Sequence, residues 1–279
     1  MRTLISRATI GTAIAHFANK PINALLNEAG DDHGKFMIEP LLLTAARVTT
    51  FNDQQSLTNA SGFYFKRDGK LFLVTSRHVV YDEMSRHFPN RIEIELHIGL
   101  HDVSQSTGFS IPLYRNGRRV WREGLDSAGK VDVAMIEINR PALPPNVAYR
   151  AFTPRHLSDT FENVEAGTSV LVVGFPLGFH DTLHHMPIVR HAVVASSFGL
   201  RFEGEGYFLT DGRTHRGSSG APVVARVKSP DASYEDLPWM LLGIHSTRID
   251  VSTRDHNLDE ALGLNSAWYA DILMKLSET

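Results

Sequence analysis

From Leu41 onward the apolar residues of this chain keep the two-residue period of β-strands, and this constrains the fold more than any other feature. The clearest case is Arg91–Ile98. Ile92, Ile94, Leu96 and Ile98 alternate there with Glu93, Glu95 and His97, so one face is buried and the other is wet. Five more strands are expected before residue 140: Leu41–Thr50, Ser61–Lys66, Lys70–Thr75, Gly108–Tyr114 and Val131–Ile138. Arg67-Asp68-Gly69 is expected to close a hairpin between the second and third strands. Asn139–Asp159 holds Pro141, Pro144, Pro145 and Pro154 with little periodicity, and reads as a connection. The second half offers Ser169–Gly174, Ile188–Ser196, Gly206–Thr210, Pro222–Val227, Met240–His245 and Ala261–Leu264. The tail from Ser266, with Trp268, Ile272, Leu273 and Leu276, reads as a closing amphipathic helix. The expected class is therefore all-β with helical ends.

Within that framework one loop stands out, Asp211-Gly212-Arg213-Thr214-His215-Arg216-Gly217-Ser218-Ser219-Gly220. It lies between two strand-like runs, and Gly217 and Gly220 bracket Ser219. Glycines let a backbone turn sharply and aim its N–H groups at a ligand. A serine presented there can act as a nucleophile only if a neighbouring base takes its proton. Taken alone, the loop is equally readable as a turn with an ordinary serine. Upstream, His78 follows the apolar run Leu71–Val74 in Thr75-Ser76-Arg77-His78-Val79. A lone carboxylate, Asp132, heads the run Val133-Ala134-Met135-Ile136.

The three segments, in the order His78, Asp132, Ser219, resemble the chymotrypsin-like (trypsin-like) serine peptidases. T-x-x-H-V surrounds the histidine, D-V-A the aspartate and G-x-S-G-x-P the serine. The resemblance spans roughly residues 40 to 279 and leans toward the bacterial HtrA-like and glutamyl-endopeptidase-like branches. It implies two six-stranded antiparallel β-barrels, and the strand count agrees independently. The expected domains are an N-terminal helical extension outside the resemblance (1–39), a first barrel (40–140), a linker (141–160) and a second barrel with its closing helix (161–279). It further implies that Ser219 attacks a peptide carbonyl, that His78 is the general base and that Asp132 orients the imidazole. The N–H groups of Gly217 and Ser219 would form the oxyanion hole. The implied substrate is a protein or peptide, cleaved without metal or cofactor. A catalytically silent binding or regulatory module on the same fold is the alternative.

Three details refine the resemblance. Secreted relatives often carry aspartate before the nucleophile to pair with a new amino terminus; Ser218 stands there and cannot, which leaves room for an activating partner protein. Gly174-Phe175-Pro176-Leu177-Gly178 matches a G-[F/Y]-P-x-G turn to which only a structural job is given. The S1 pocket would draw on Arg213, Thr214, His245 and Arg248. A threonine hydroxyl and an imidazole N–H could both donate to an acidic or glutamine P1 side chain, with a protonated His245, Arg213 or Arg248 adding charge. Against this stand a small or aliphatic P1 and a His245 that is merely packed. A basic P1 is disfavoured by Arg213.

Composition bounds the rest. The formal net charge of −3 gives no reason to expect a nucleic-acid or anionic-membrane partner. Arg118, Arg119 and Arg122 around Trp121 read as a solvated loop. There are no cysteines. This excludes a thiol nucleophile or thiolate metal site and fits a reducing compartment, so a cytoplasmic location is expected. His180, His184, His185 and His191 lack an HExxH pattern and read as solvated or packing residues, so no metal is expected. Residues 1–29 place Ile10, Ala13, Ile14 and Phe17 on one helical face, a better reading than a secretory signal.

Overall fold

The computed structural model describes residues 38–99, 102–157, 164–227, 237–249 and 263–278. The expected N-terminal helix lies outside them. The first half contains β1 (Ala45–Asn52), β2 (Gln55–Arg67), β3 (Lys70–Thr75), β4 (Arg91–Ile98), β5 (Ser106–Pro112), β6 (Tyr114–Arg115), β7 (Arg118–Arg119), β8 (Trp121–Asp126), β9 (Gly129–Ile138) and β10 (Val147–Ala148). Eight of these form one antiparallel sheet in the order β10-β4-β1-β2-β3-β9-β8, with β5 paired to β4. The second half contains β11 (Ser169–Gly174), β12 (Ile188–Val194), β13 (Tyr207–Asp211), β14 (Pro222–Arg226), β15 (Trp239–Arg248) and β16 (Leu264–Tyr269). These six close into a barrel, β11-β12-β13-β16-β15-β14. The described chain also holds two short α-helices, α1 (Arg77–Val80) and α2 (Ile272–Leu276), and short 3₁₀ turns such as Leu42–Thr44.

Several strands read as continuous apolar runs because both of their faces are covered. On β3, Leu71 and Leu73 join the first sheet's own core with Tyr64, Ile92, Ile94 and Ile136. The intervening Phe72 and Val74 face a second core with Phe63, Phe65, Val173, Val224, Ile244 and Trp268, which draws on both halves. The inside of the closed barrel is filled by Val170, Val172, Phe208, Val223 and Leu242, among others. The hairpin expected at Asp68-Gly69 is present, with Arg67 opposite Lys70. Both turn residues have positive φ, 49° and 77°, the type I′ geometry that matches strand twist.

The closing helix needs correction. Ser266 and Trp268 lie in β16, where Trp268 pairs with Tyr207 on one side and Ile244 on the other. Only Ile272–Leu276 is helical, and its Leu273 and Leu276 are buried. A segment with a ladder partner on each edge satisfies its backbone better as a strand than as the start of a helix. Among the described residues no helix is long and apolar enough to cross a membrane.

Candidate active site

The base side of the site arises where β3 ends. After Thr75 the chain turns into the four-residue α1, whose Val79 and Val80 pack into the first core and so fix the direction of His78. Asp132 lies on the neighbouring β9. Its Oδ1 accepts the backbone N–H of His78 at 2.9 Å, and its Oδ2 lies 2.7 Å from His78 Nδ1. An ionised carboxylate only accepts, so Nδ1 carries the proton and Nε2 keeps its lone pair. Burial pushes the imidazole pKa down. The Asp132 hydrogen bond and charge, helped by Asp82 and opposed by Arg77, outweigh it, and the net shift is upward from 6.5.

Ser246 on β15 is a residue that sequence reasoning missed. Its Oγ donates to Asp132 Oδ2 at 2.5 Å, and its carbonyl accepts the Ser219 hydroxyl at 3.0 Å. It therefore ties the carboxylate of the first sheet to the serine of the second. In this conformation the Ser219 hydroxyl points to that carbonyl and makes no hydrogen bond with His78. Ser219 is half-buried, whereas Ser218 is buried.

The turn before Ser219 has a defined geometry. Ser218 N–H donates to His215 carbonyl at 3.1 Å, and Gly217 has φ +90° while Arg216 is not in the left-handed region. That is a type II turn, which reserves its third position for glycine. A Cβ on Gly217 would also stand 2.6 Å from the Phe175 carbonyl. The Arg216 carbonyl accepts Leu177 N–H at 2.5 Å. In a trans peptide the N–H points opposite the carbonyl, so Gly217 N–H is directed away from Leu177. Neither Gly217 N–H nor Ser219 N–H donates to an acceptor among the described residues. Leu177 itself takes φ +56°, and its N–H ties the G-F-P-L-G turn to the candidate oxyanion segment.

Ser61 on β2 is the second missed residue. It is fully buried. Its Oγ donates to Gly217 carbonyl at 2.7 Å and accepts Phe175 N–H at 2.9 Å. Its backbone N–H donates to Ser219 carbonyl at 2.9 Å, and its carbonyl accepts Thr75 Oγ1 at 2.7 Å. One residue of the first sheet thus holds the carbonyls of both candidate oxyanion donors. An Ala-Ser-Gly-Phe run opening an apolar strand was the only local signal, and it names no partner.

The expected pocket residues separate into two groups. Thr214 and His245 are buried, while Arg213 and Arg248 are exposed. Thr214 donates its hydroxyl proton to Asn265 Oδ1 on β16, a third residue missed in sequence. The expectation that Thr214 would donate to a ligand is therefore corrected: what it offers is its oxygen lone pairs. Burial, with the nearby His78, pushes the His245 pKa down to about 4. Its Nδ1 is buried without a hydrogen-bond partner. Desolvation and then the charges of Arg190, Arg213 and Arg248 push the neighbouring His215 down as well, a positive field beside the turn. An open cavity of about 650 Å³ adjoins it, lined by Pro176 to His180, Ile188, Arg190 and His215, among others.

Residues 60–228, more than half of the chain, match the family model described as trypsin-like peptidase domain. No curated protein matches the chain. Among solved structures, the serine endoprotease from Yersinia pestis is 16% identical with a TM-score of 0.46, over 85% of this chain and 62% of that one. The chain thus spans less than two thirds of that protein's length. The Rv3671c protease of M. tuberculosis, in its inactive form, is 14% identical with a TM-score of 0.45, over 85% of this chain and 91% of that one. These likenesses are distant and say nothing of substrate.

Proposed function

The chain belongs to the trypsin-like peptidase family, and on that premise we propose that it is a serine endopeptidase with Ser219 as nucleophile, His78 as general base and Asp132 as its orienting acid. The observation that carries this is the continuous Asp132–His78 and Asp132–Ser246–Ser219 network, ending beside two unengaged N–H groups. In the reaction Ser219 Oγ leaves the Ser246 carbonyl, attacks the scissile carbonyl carbon and passes its proton to His78 Nε2. The carbonyl oxygen becomes an oxyanion held by Gly217 N–H and Ser219 N–H, donors that typically contribute about 100- to 1000-fold each. Collapse breaks the C–N bond, and His78 returns the proton to the departing amine. Water, activated by the same imidazole, then releases the acyl group and restores the serine.

The finer reading is a P1 side chain with a carbonyl oxygen, glutamine or acidic. Support comes from the chemistry left free: neutral near pH 7, the His245 ring carries one N–H and donates it to no acceptor among the described residues, and Thr214 retains acceptor lone pairs. A glutamine amide can use both, accepting from His245 and donating to Thr214. A carboxylate can use only the former and would rely on the exposed Arg213 and Arg248 for charge. This ranks glutamine ahead of glutamate. A reducing compartment is proposed on the absence of cysteines alone, and recovery of the chain from a secreted fraction would contradict it.

A peptide-library digest of the wild type beside Ser219→Ala and His245→Ala tests the proposal. Cleavage after glutamine or glutamate, absent in Ser219→Ala and redirected in His245→Ala, supports both levels. Cleavage after arginine or lysine, unchanged in His245→Ala, removes the pocket reading. Cleavage that survives Ser219→Ala removes the enzyme reading. The silent-module alternative draws on one observation, the Ser219 hydroxyl resting on Ser246. It predicts no cleavage of any peptide.

A further inference from the structure

The loop between β11 and β12 carries polar chemistry that peptide cleavage does not use. His180 and His185 lie on it, and Glu95 faces them from β4. One ligand atom from each of the three residues lies within 4.8 Å of the others. The site joins the first sheet to a loop of the second. It could not be foreseen from sequence, because Glu95 is far from the histidines along the chain and reads as the wet face of a strand.

We propose that Glu95, His180 and His185 bind a divalent transition-metal ion of the zinc class. Several features prepare these groups as ligands. His180 Nδ1 lies 2.7 Å from the Gly178 carbonyl and donates its proton there. That fixes the tautomer in which Nε2 holds a lone pair, as metal-bound histidines are usually prepared. His185 Nδ1 lies 2.8 Å from Glu95 Oε1, at ion-pair distance, so this imidazole and the carboxylate already face one another. The two imidazoles stack with centroids 5.9 Å apart, and His185 takes φ +56°, a left-handed conformation that costs energy in a non-glycine residue.

Glu95 also accepts from Ser106 Oγ at Oε1 and from Arg47 Nη2 at Oε2, each at 2.9 Å. These bonds orient the carboxylate and leave Oε1 a lone pair for a cation. His97 Nε2, from the same strand, donates to the His184 carbonyl at 2.8 Å and pins the loop at a second point. Two imidazoles and one carboxylate, with no thiolate available, suit zinc, cobalt or nickel rather than copper(I) or an iron–sulfur cluster. Three protein ligands leave a coordination position for water. Of the three residues, His180 lines a cavity that opens to solvent.

The site is mechanically linked to the oxyanion turn. His180 holds Gly178, and the adjacent Leu177 N–H holds the Arg216 carbonyl that sets the Gly217 N–H direction. A bound ion would stiffen that linkage. This consequence for turnover rests on the proposed peptidase reading; the binding itself does not, so it is tested without catalysis.

The full chain, stripped with a chelator, would be titrated with cobalt(II) and followed by its visible absorption, with zinc(II) as competitor. The expected result is saturation at one equivalent and displacement by zinc. Affinity should fall by about tenfold or more in His180→Ala, His185→Ala and Glu95→Gln and stay unchanged in His184→Ala and His191→Ala. Zinc should raise the Tm of the wild type and not that of Glu95→Gln, which guards against a variant that misfolds. Absence of saturable binding in the wild type, or binding indifferent to Glu95→Gln and His185→Ala, would overturn the site. If the metal binds as expected but no peptide is cleaved with or without it, the peptidase reading fails and the site stands.

Discussion

The two sides of the candidate site are built by different means. The base side is assembled within one sheet, by direct bonds between a carboxylate and both the backbone and the ring of His78. The nucleophile side is assembled across two sheets, by backbone turns held from outside through Ser61 and Leu177. The first is fixed by charge and the second by geometry. In the proposed mechanism the first is already paired, whereas the Ser219 hydroxyl has to leave Ser246 to reach His78. The lesson is that an oxyanion hole of backbone N–H groups needs no side chain of its own. On the proposed reading its positioning is delegated to Ser61 and Leu177.

The largest effects should come from removing a chemical participant. Ser219→Ala and His78→Ala should each lower kcat by about 10⁶-fold, the scale seen when a triad member is lost. Asp132→Asn should cost about 10⁴-fold, because the amide lets the imidazole settle in the wrong tautomer. Circular dichroism should show the folds intact, and a smaller loss for Asp132→Asn than for Ser61→Ala would break the proposed division.

Next comes the geometric side. Ser61→Ala strands the Gly217 carbonyl and Phe175 N–H, so it should cost about 1–3 kcal/mol in stability. It should also lower kcat by about 10- to 100-fold with little change in KM, as expected when a donor set used only in the transition state is loosened. Ser61→Thr, which keeps the hydroxyl, should recover part of the rate. A pure stability loss with kcat unchanged would mean that Ser61 supports the fold and not the turn. Ser246→Ala removes one donor to Asp132 and keeps the carbonyl that receives Ser219. A loss of roughly tenfold or less, about 1 kcal/mol, is expected in kcat/KM.

The smallest effects are those of pH. The His78 pKa is raised above 6.5 in the folded protein. Its protonated form therefore adds stability that is full below about pH 6.5 and is lost as pH rises through the folded pKa. Catalysis needs the neutral ring, so the rate should climb over the same interval in which this stability fades. His245, with its pKa lowered to about 4, acts oppositely, and stability should fall on acidification from about 6.5 toward 4. Asp82→Asn removes a charge that raises His78 and should move the acid limb of the rate profile to lower pH. An unmoved limb would show that Asp132 alone sets this pKa.

What the sequence could reveal follows the reach of each interaction. Lys70–Thr75, Arg91–Ile98 and Ser169–Gly174 were legible to the residue, because burial of one or both faces writes itself into the local pattern. Trp121–Asp126 was not, since Arg122, Glu123 and Gly124 hide a strand whose pairing with β9 decides it. Trp268 was misread because an apolar tail with helical spacing can equally close a barrel when ladders wait on both sides. His78, Asp132 and Ser219 sit in short motifs and stand out. Ser61, Ser246, Asn265 and Glu95 act on residues far away in sequence, and nothing around them announces it. The role of Thr214 turned on Asn265, a neighbour that only the folded chain supplies.

The central claim is that Ser219, and not Ser218, is an activated nucleophile, and labelling by a fluorophosphonate probe measures this most directly. Only a serine whose proton can be taken reacts with it at a useful rate. Mass spectrometry of the wild type should place one adduct per chain on Ser219, formed faster above the His78 pKa than below it. The adduct should vanish in Ser219→Ala and His78→Ala and persist in Ser218→Ala. An unlabelled wild type at every pH, or an adduct on Ser218 or elsewhere that survives Ser219→Ala, would contradict the account.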